Sequence, residues 1–180
     1  MSKKKGVQIV AIVEDRELER FVRKTLKSLG FDKHKVDVRQ DYPRGGAGSG
    51  KQYVENTYEK EIVTFRQKSR ENRGLLIGTD ADQQTVAQRI QVLEANTNPS
   101  RGPLERIVYW IPKWHVETWG LHLNGNEVDE DSNYHSRKQE IDWDQAGVAF
   151  TDAYNRSKRE AVDTLDSLSK AYTETRRIGD

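Results

Sequence analysis

Apolar positions follow two rhythms along this chain. Val7 to Val13 is apolar on both strand faces except at Gln8, a run suited to a buried strand of a parallel sheet with helices on each side. In the charged stretch that follows, Leu18, Phe21, Val22, Leu26 and Leu29 fall on one helical face, and Gly30 is placed to end that helix. Val36 and Val38 alternate with charges as a short, more exposed second strand. Pro43 to Gly50 reads as a loop, after which Val54, Tyr58, Ile62 and Phe65 mark a second helix. Leu75 to Ile77 is a third buried strand, followed by a helix whose inner face is Val86, Ile90 and Leu93 and which closes between Asn96 and Pro99. Ile107 to Ile111 is a fourth strand stopped by Pro112, with a short helix over Val116 to Leu123. This alternation predicts an α/β fold with a mostly parallel four-stranded sheet flanked by helices.

Residues 124–145 break the pattern, carrying seven acids against two bases and few aliphatics, so a flexible or loop-like insert is expected. From Ala146 to Arg177 the stripe Phe150, Tyr154, Leu165, Leu168 and Tyr172 predicts a long C-terminal helix. The expected organisation is an α/β domain over 1–123, an acidic loop insert over 124–145 and a helical extension over 146–180. The apolar stripe of that extension offers a surface for pairing with another copy.

Composition narrows the class. Of 180 residues, 34% are hydrophobic and 33% charged, with a formal net charge of +1 and a mean hydropathy of −0.93. This describes a thin core under many charges. No apolar run approaches the roughly 18 residues of a membrane span. Ser2 to Lys5 precedes only a short apolar stretch, broken by Glu14 and Asp15, unlike a secretory leader. The expectation is a cytoplasmic protein with no membrane partner. Absence of cysteine excludes disulfides, thiolate zinc sites and a cysteine nucleophile. The near-neutral total conceals polarity: residues 1–51 carry thirteen bases and seven acids, whereas the insert is acidic.

Carboxylates gather where the strands end. Glu14 and Asp15 follow the first strand, Asp80 and Asp82 the third, and Glu117 the fourth after a short connection. In open parallel sheets the carboxyl ends of the strands carry function. Hard dications such as Mg²⁺ take oxygen ligands and bind through one or two carboxylates with a substrate phosphate. Asp-x-Asp at a strand end aims both carboxylates at one ion, because alternate strand residues point the same way. Helix capping accounts well for Asp15. It accounts poorly for Glu14, Asp80, Asp82 and Glu117 together, because a Glu closing an apolar strand costs desolvation unless a cation or donor meets it.

Val13-Glu-Asp-Arg-Glu-Leu-Glu-Arg-Phe21, Gly48-Ser-Gly-Lys51, Asp80-Ala-Asp82 and Ile111-Pro-Lys-Trp-His-Val-Glu-Thr-Trp119 resemble small stand-alone bacterial TOPRIM (topoisomerase–primase) proteins. These are related to the OLD-type (overcoming lysogenisation defect) nucleases, which often serve in phage defence. The resemblance covers about residues 7 to 135. It implies that Glu14, Asp80, Asp82 and Glu117 are metal-site acids for Mg²⁺ or Mn²⁺ and that the substrate is DNA or RNA. Two departures stand out. OLD-type nucleases carry a further acid one helical turn after the first Glu, where this chain has Leu18 with Glu17 one residue earlier. They also use a late lysine, for which Lys138, close to His135, is the nearest candidate.

With those acids, phosphodiester hydrolysis is the expected chemistry, the metal activating water and a lysine stabilising the pentacoordinate phosphorus. A topoisomerase needs a second domain with a tyrosine nucleophile, and a bacterial primase a Cys-rich zinc module. The alternative is a non-catalytic TOPRIM module that binds nucleic acid or docks a partner, such as an ATPase encoded nearby.

Gly45 to Lys51 satisfies Gly-x-x-x-x-Gly-Lys, but Gln52 stands where a P-loop needs Ser or Thr, which argues against ATPase function. Arg44, Gly48, Ser49 and Lys51 remain candidates for contacts to a nucleic-acid backbone; a plain flexible connection fits equally well. Arg16, Arg20, Arg23, Lys24 and Lys27 give the first helix a basic side that either tracks phosphates or is merely solvated. His115 and His122 lack zinc spacing; for His115, near Glu117, a substrate contact is weighed against a loop or surface place, and the latter is the expectation for both. Trp110, Trp114 and Trp119 read as packing residues.

Overall fold

The computed structural model describes residues 6–40 and 49–179. In chain order the elements are β1 (Gln8–Val13), α1 (Arg16–Ser28), β2 (Val36–Arg39), α2 (Gly50–Gln67), β3 (Arg73–Gly78), α3 (Val86–Ala95), β4 (Ile107–Trp110), α4 (Val116–Leu123), α5 (Trp143–Ser157) and α6 (Asp166–Gly179). The four strands are all parallel, in the order β2-β1-β3-β4. The fold is α/β, as the alternation of runs and stripes predicts.

Strand alternation divides the core in two. Ile9, Ala11, Val13, Leu76, Val108 and Trp110 face the layer of α1, α4, α5 and α6. Val10, Ile12, Leu75, Ile77, Ile107 and Tyr109 face α2 and α3. In the first layer Phe21 meets Trp110, Trp119, Trp143 and Phe150, with ring centroids 5.6 to 6.1 Å apart and tilted or edge-on geometry. Such pairs each add roughly 0.5–1.5 kcal/mol beyond burial of area. Trp110 and Trp119 are fully buried. Their indole N–H groups donate to Thr175 and Ser167 on α6, at 3.0 and 2.7 Å.

Local signals set the ends of α1. The Asp15 carboxylate accepts from the Leu18 N–H at 2.8 Å, the capping role its position suggests. Gly30 has φ +89°, and the Gly30 and Phe31 N–H groups return to the carbonyls of Lys27 and Leu26. That pair of bonds closes the helix in a Schellman motif.

The C-terminal region corrects one expectation. In place of a single helix from Ala146 to Arg177 there are two, α5 and α6, separated by residues 158–165. Tyr154 and Leu165 are eleven residues apart, close to three helical turns, so the apolar stripe stays in phase across the break. No Gly or Pro marks the interruption. Both helices pack into the α1 layer, with Ala146, Phe150, Tyr154, Leu168 and Tyr172 buried.

α6 also closes the open edge of β4. The Glu174 carboxylate accepts from the Tyr109 N–H at 3.0 Å, and Arg101 donates to the Ile107 carbonyl at 2.9 Å. Arg101 and Glu174 are themselves paired. An ion pair thus takes the place of a fifth strand.

The insert is held from both ends. Glu130 accepts from the Asp166 and Ser167 N–H groups at 2.9 and 3.1 Å, capping α6. Asp142 accepts from the Asp144 and Gln145 N–H groups, capping α5. A 3₁₀ turn spans His135–Glu140.

Among the described residues no helix is long and apolar enough to cross a membrane.

The α1–α5 contact is made possible by Gly147, where an added Cβ would sit 2.8 Å from the Lys24 carbonyl carbon and 3.0 Å from its oxygen. Backbone cannot yield as a side-chain tip does. Gly147→Ala is expected to cost about 1–3 kcal/mol, read as a lowered urea midpoint with an unchanged slope.

Candidate functional site

The strand order reverses between β1 and β3, because the chain runs outward from β1 to β2 and then crosses back. The crevice at the carboxyl ends of those two strands is where open α/β sheets bind ligands. Glu14 is the first residue past β1, and Thr79 and Asp80 the first two past β3. Thr79 Oγ1 donates to Glu14 Oε2 at 2.7 Å, and the Asp80 N–H donates to the same oxygen at 3.0 Å. The first acid is therefore bonded directly to the segment that carries the second.

Asp80 is buried, and its Oδ2 lies 3.0 Å from His115 Nδ1. Its Oδ1 is buried, with no hydrogen-bond partner among the described residues. Burial pushes the Asp80 carboxyl well above its ordinary range, opposed by the His115 bond and reinforced by Glu14 and Asp15. The same bond to Asp80 raises the His115 pKa. Burial likewise raises Glu14, partly offset by the Thr79 and Asp80 donors and by Lys51.

Asp82 reaches this group by a route other than strand alternation. β3 ends at Gly78, so Asp80 and Asp82 lie beyond it, and Asp82 sits at φ +53°. A left-handed aspartate turns the chain so that ligand atoms of Asp80, Asp82 and His115 all lie within 4.8 Å of one another. Lys51 Nζ pairs with Asp82 Oδ2. Lys51 stands in the first turn of α2, whose N-cap Ser49 accepts from the Gln52 N–H at 3.3 Å. Between them, Gly50 presses on the Glu14 backbone, where a Cβ would come within 2.4 Å of the carbonyl oxygen. The second of the paired glycines before Lys51 thus has a packing reason: only Gly lets α2 begin against the end of β1.

Glu117, in the first turn of α4, is 1% exposed. His135 Nδ1, from the insert, lies 2.8 Å from Glu117 Oε1, yet that oxygen receives no hydrogen bond of good geometry. Burial raises the Glu117 pKa; its own backbone N–H and the neighbouring His135 oppose the shift, and Asp15 adds to it. The His115 and His135 rings are 5.5 Å apart, so the two acid–imidazole pairs are neighbours.

The sequence-derived candidates therefore separate. Glu14, Asp80, Asp82, Glu117 and Lys51 are linked through shared hydrogen bonds, ion pairs and imidazoles. Ser49 is a helix cap. Arg44 and Gly48 lie outside the described residues. Lys138 is exposed on the 3₁₀ turn and, among the described residues, forms no ion pair; the lysine that meets the acids is Lys51. On α1, Arg20, Arg23 and Lys24 meet Glu17, Glu19 and Asp144 of the same chain, which reduces the charge free for phosphates.

Sequence reasoning underrated one residue and missed another. His115, ranked as a loop or surface histidine ahead of a substrate contact, is half-buried against Asp80; its place between Pro112 and Glu117 at a strand end was the available signal. Arg89 sits in the apolar stripe of α3, 2% exposed. It donates to Thr79 Oγ1 at 3.0 Å and pairs with Glu55 on α2. A relay from Glu55 through Arg89 and Thr79 to Glu14 results. No pattern of spacing announces it.

A cavity of about 390 Å³ lies at the opposite end of the sheet, where Arg66 and Arg73 are already paired with Glu105 and Glu71. Compared with protein-family models, curated proteins and solved structures, the chain matches none.

Two outcomes are expected. Arg89→Met leaves Glu55 and Thr79 without their donor and costs about 3 kcal/mol, measured by chemical unfolding. Because burial raises the folded-state pKa of Glu117 above its ordinary 4.5, the stability that this group contributes is full below pH 4.5 and is lost as pH rises through the folded value. Glu117→Gln is therefore more stable than wild type at pH 8 without added metal, and the gain vanishes at pH 4.

Proposed function

We propose that this protein is a divalent-metal-dependent nuclease that hydrolyses phosphodiester bonds in DNA or RNA. The observation that carries the reading is a pair of buried carboxylates: Asp80 at the switch-point crevice, whose Oδ1 has no hydrogen-bond partner among the described residues, and Glu117 after β4, whose Oε1 meets only the His135 ring. Buried carboxylates without donors are stabilised by a cation. The donor set is oxygen-rich, as a hard or borderline dication requires. A bound dication would polarise the phosphate and lower the pKa of an attacking water.

The chain's own residues supply the rest. Asp80 and Asp82 would hold the ion, with Glu117 available for a second. Glu14, shifted upward by burial and fixed by Thr79 and Asp80 N–H, suits proton transfer to or from the reacting water. Lys51, at the N-terminal turn of α2 beside Asp82, is positioned to neutralise charge developing on the phosphate oxygens. In this reading Lys51 takes the part that the TOPRIM resemblance suggests for Lys138. That resemblance also underlies the proposal of a cytoplasmic anti-phage effector working with an ATPase partner.

A second reading, a non-catalytic module that binds nucleic acid or a partner, draws on one observation. Lys51 and His135 already lie against Asp82 and Glu117, and such pairs also serve to neutralise a degenerate site.

Purified protein with Mn²⁺, incubated with plasmid, single-stranded DNA and tRNA, separates the two. Cleavage is expected of at least one substrate, to fall more than 100-fold in Asp80→Asn/Asp82→Asn and at least tenfold in Lys51→Ala. Cleavage unchanged in the double variant overturns the site. Absence of cleavage together with retained, salt-sensitive binding selects the module.

A further inference from the structure

Resting on the metal-dependent reading, we propose that the His115 imidazole is a metal ligand alongside Asp80 and Asp82, making this a mixed nitrogen–oxygen site for a transition-metal dication of the Mn²⁺ class. An all-oxygen set of Glu14, Asp80, Asp82 and Glu117 would suit Mg²⁺, which rarely accepts imidazole. The ligand atoms that lie within 4.8 Å of one another are two carboxylates and one imidazole. Imidazole suits first-row transition metals.

Three features of the geometry agree. His115 Nδ1 and Asp80 Oδ2 are 3.0 Å apart. The two atoms share a hydrogen bond at that separation; two donors at right angles on a metal with bonds of about 2.1 Å also stand about 3 Å apart, so a cation that replaces the shared proton needs little movement of either group. Asp80 is 3% exposed, and its Oδ1 has no hydrogen-bond partner among the described residues, so this carboxylate retains coordinating capacity beyond the His115 contact. Lys51 engages Asp82 through Oδ2, which leaves that residue's second oxygen for a metal.

The backbone around the site supports the imidazole's role. His115 is the N-cap residue of α4, but its side chain makes no cap bond. Its ring turns instead toward Asp80, held between Trp114 and His135 at centroid distances of 6.2 and 5.5 Å. A histidine at an N-cap is a poor choice for helix stability, where Ser, Asp or Asn would serve. Its ring lies against the one buried aspartate of the site.

Mn²⁺ added to the protein and examined by electron spin-echo modulation reads nitrogen ligands directly. The expected result is ¹⁴N modulation in wild type, lost in His115→Gln and retained in His135→Gln, with Mn²⁺ affinity falling at least tenfold in His115→Gln. Mg²⁺ is expected to compete at no less than 100-fold higher concentration. Mn²⁺ bound with oxygen couplings alone overturns the assignment of His115 while leaving the nuclease reading intact. Nitrogen modulation that survives in His115→Gln and disappears in His135→Gln overturns it equally. If wild type binds no Mn²⁺ at all, the metal-dependent reading fails, and this inference with it. The wild-type spectrum alone can overturn the proposal, and the His115→Gln and His135→Gln pair, read side by side, assigns the nitrogen to one of two neighbouring rings.

Discussion

A carboxylate withdrawn from water must meet a donor or a cation, and the upper rim of this sheet is arranged around that requirement. Glu14 is met by the Thr79 hydroxyl and the Asp80 N–H. The Thr79 hydroxyl can donate there because Arg89 donates to its oxygen, and Arg89 is balanced in turn by Glu55. Gly50 lets α2 start against Glu14, which brings Lys51 to Asp82. Each link removes part of a cost that an isolated buried acid would impose, often several kcal/mol. The rim is thus a set of mutually dependent charges on three helices and two strand ends, with Asp80 Oδ1 left without a hydrogen-bond partner among the described residues and Glu117 Oε1 met only by the His135 ring.

Placement of this group follows from topology. The reversal of strand order between β1 and β3 sends the helices that follow them, α1 and α3, to opposite faces of the sheet, and Glu14 and Asp80 stand on either side of the crevice between. The insert then reaches over from the fourth strand's side, setting His135 against Glu117. Its many acids have local duties: Glu130 and Asp142 cap the two helices that follow. An acidic segment that looks like a solvated loop in sequence is here the means by which α5 and α6 are tied to the rim.

Residues whose role depends on near neighbours were legible in the sequence. Asp15 as a cap, Gly30 as a helix stop and the four apolar runs as strands all rest on spacing within a few positions. Residues whose role depends on a distant partner were not. Arg89 looks like one more polar residue on α3 until Glu55 and Thr79 are seen to meet it. His115 has no ligand-like spacing because its partner lies 35 positions earlier, on another strand end. The break between α5 and α6 was hidden for a different reason, since an interval of eleven residues preserves helical phase whether or not the helix continues.

The Arg101–Glu174 pair along β4 bears on how copies of this chain could associate. Because those two side chains already take up the Ile107 carbonyl and the Tyr109 N–H, an incoming strand finds no free ladder on that side without first prising α6 away. Only the β2 side remains, where Asp37 and Arg39 line a short strand and Arg39 is bound to Glu61. Continuous sheets shared between copies are disfavoured at both borders, by occupation at one and by charge at the other. Growth of one sheet from copy to copy is therefore a mode of association that this fold resists.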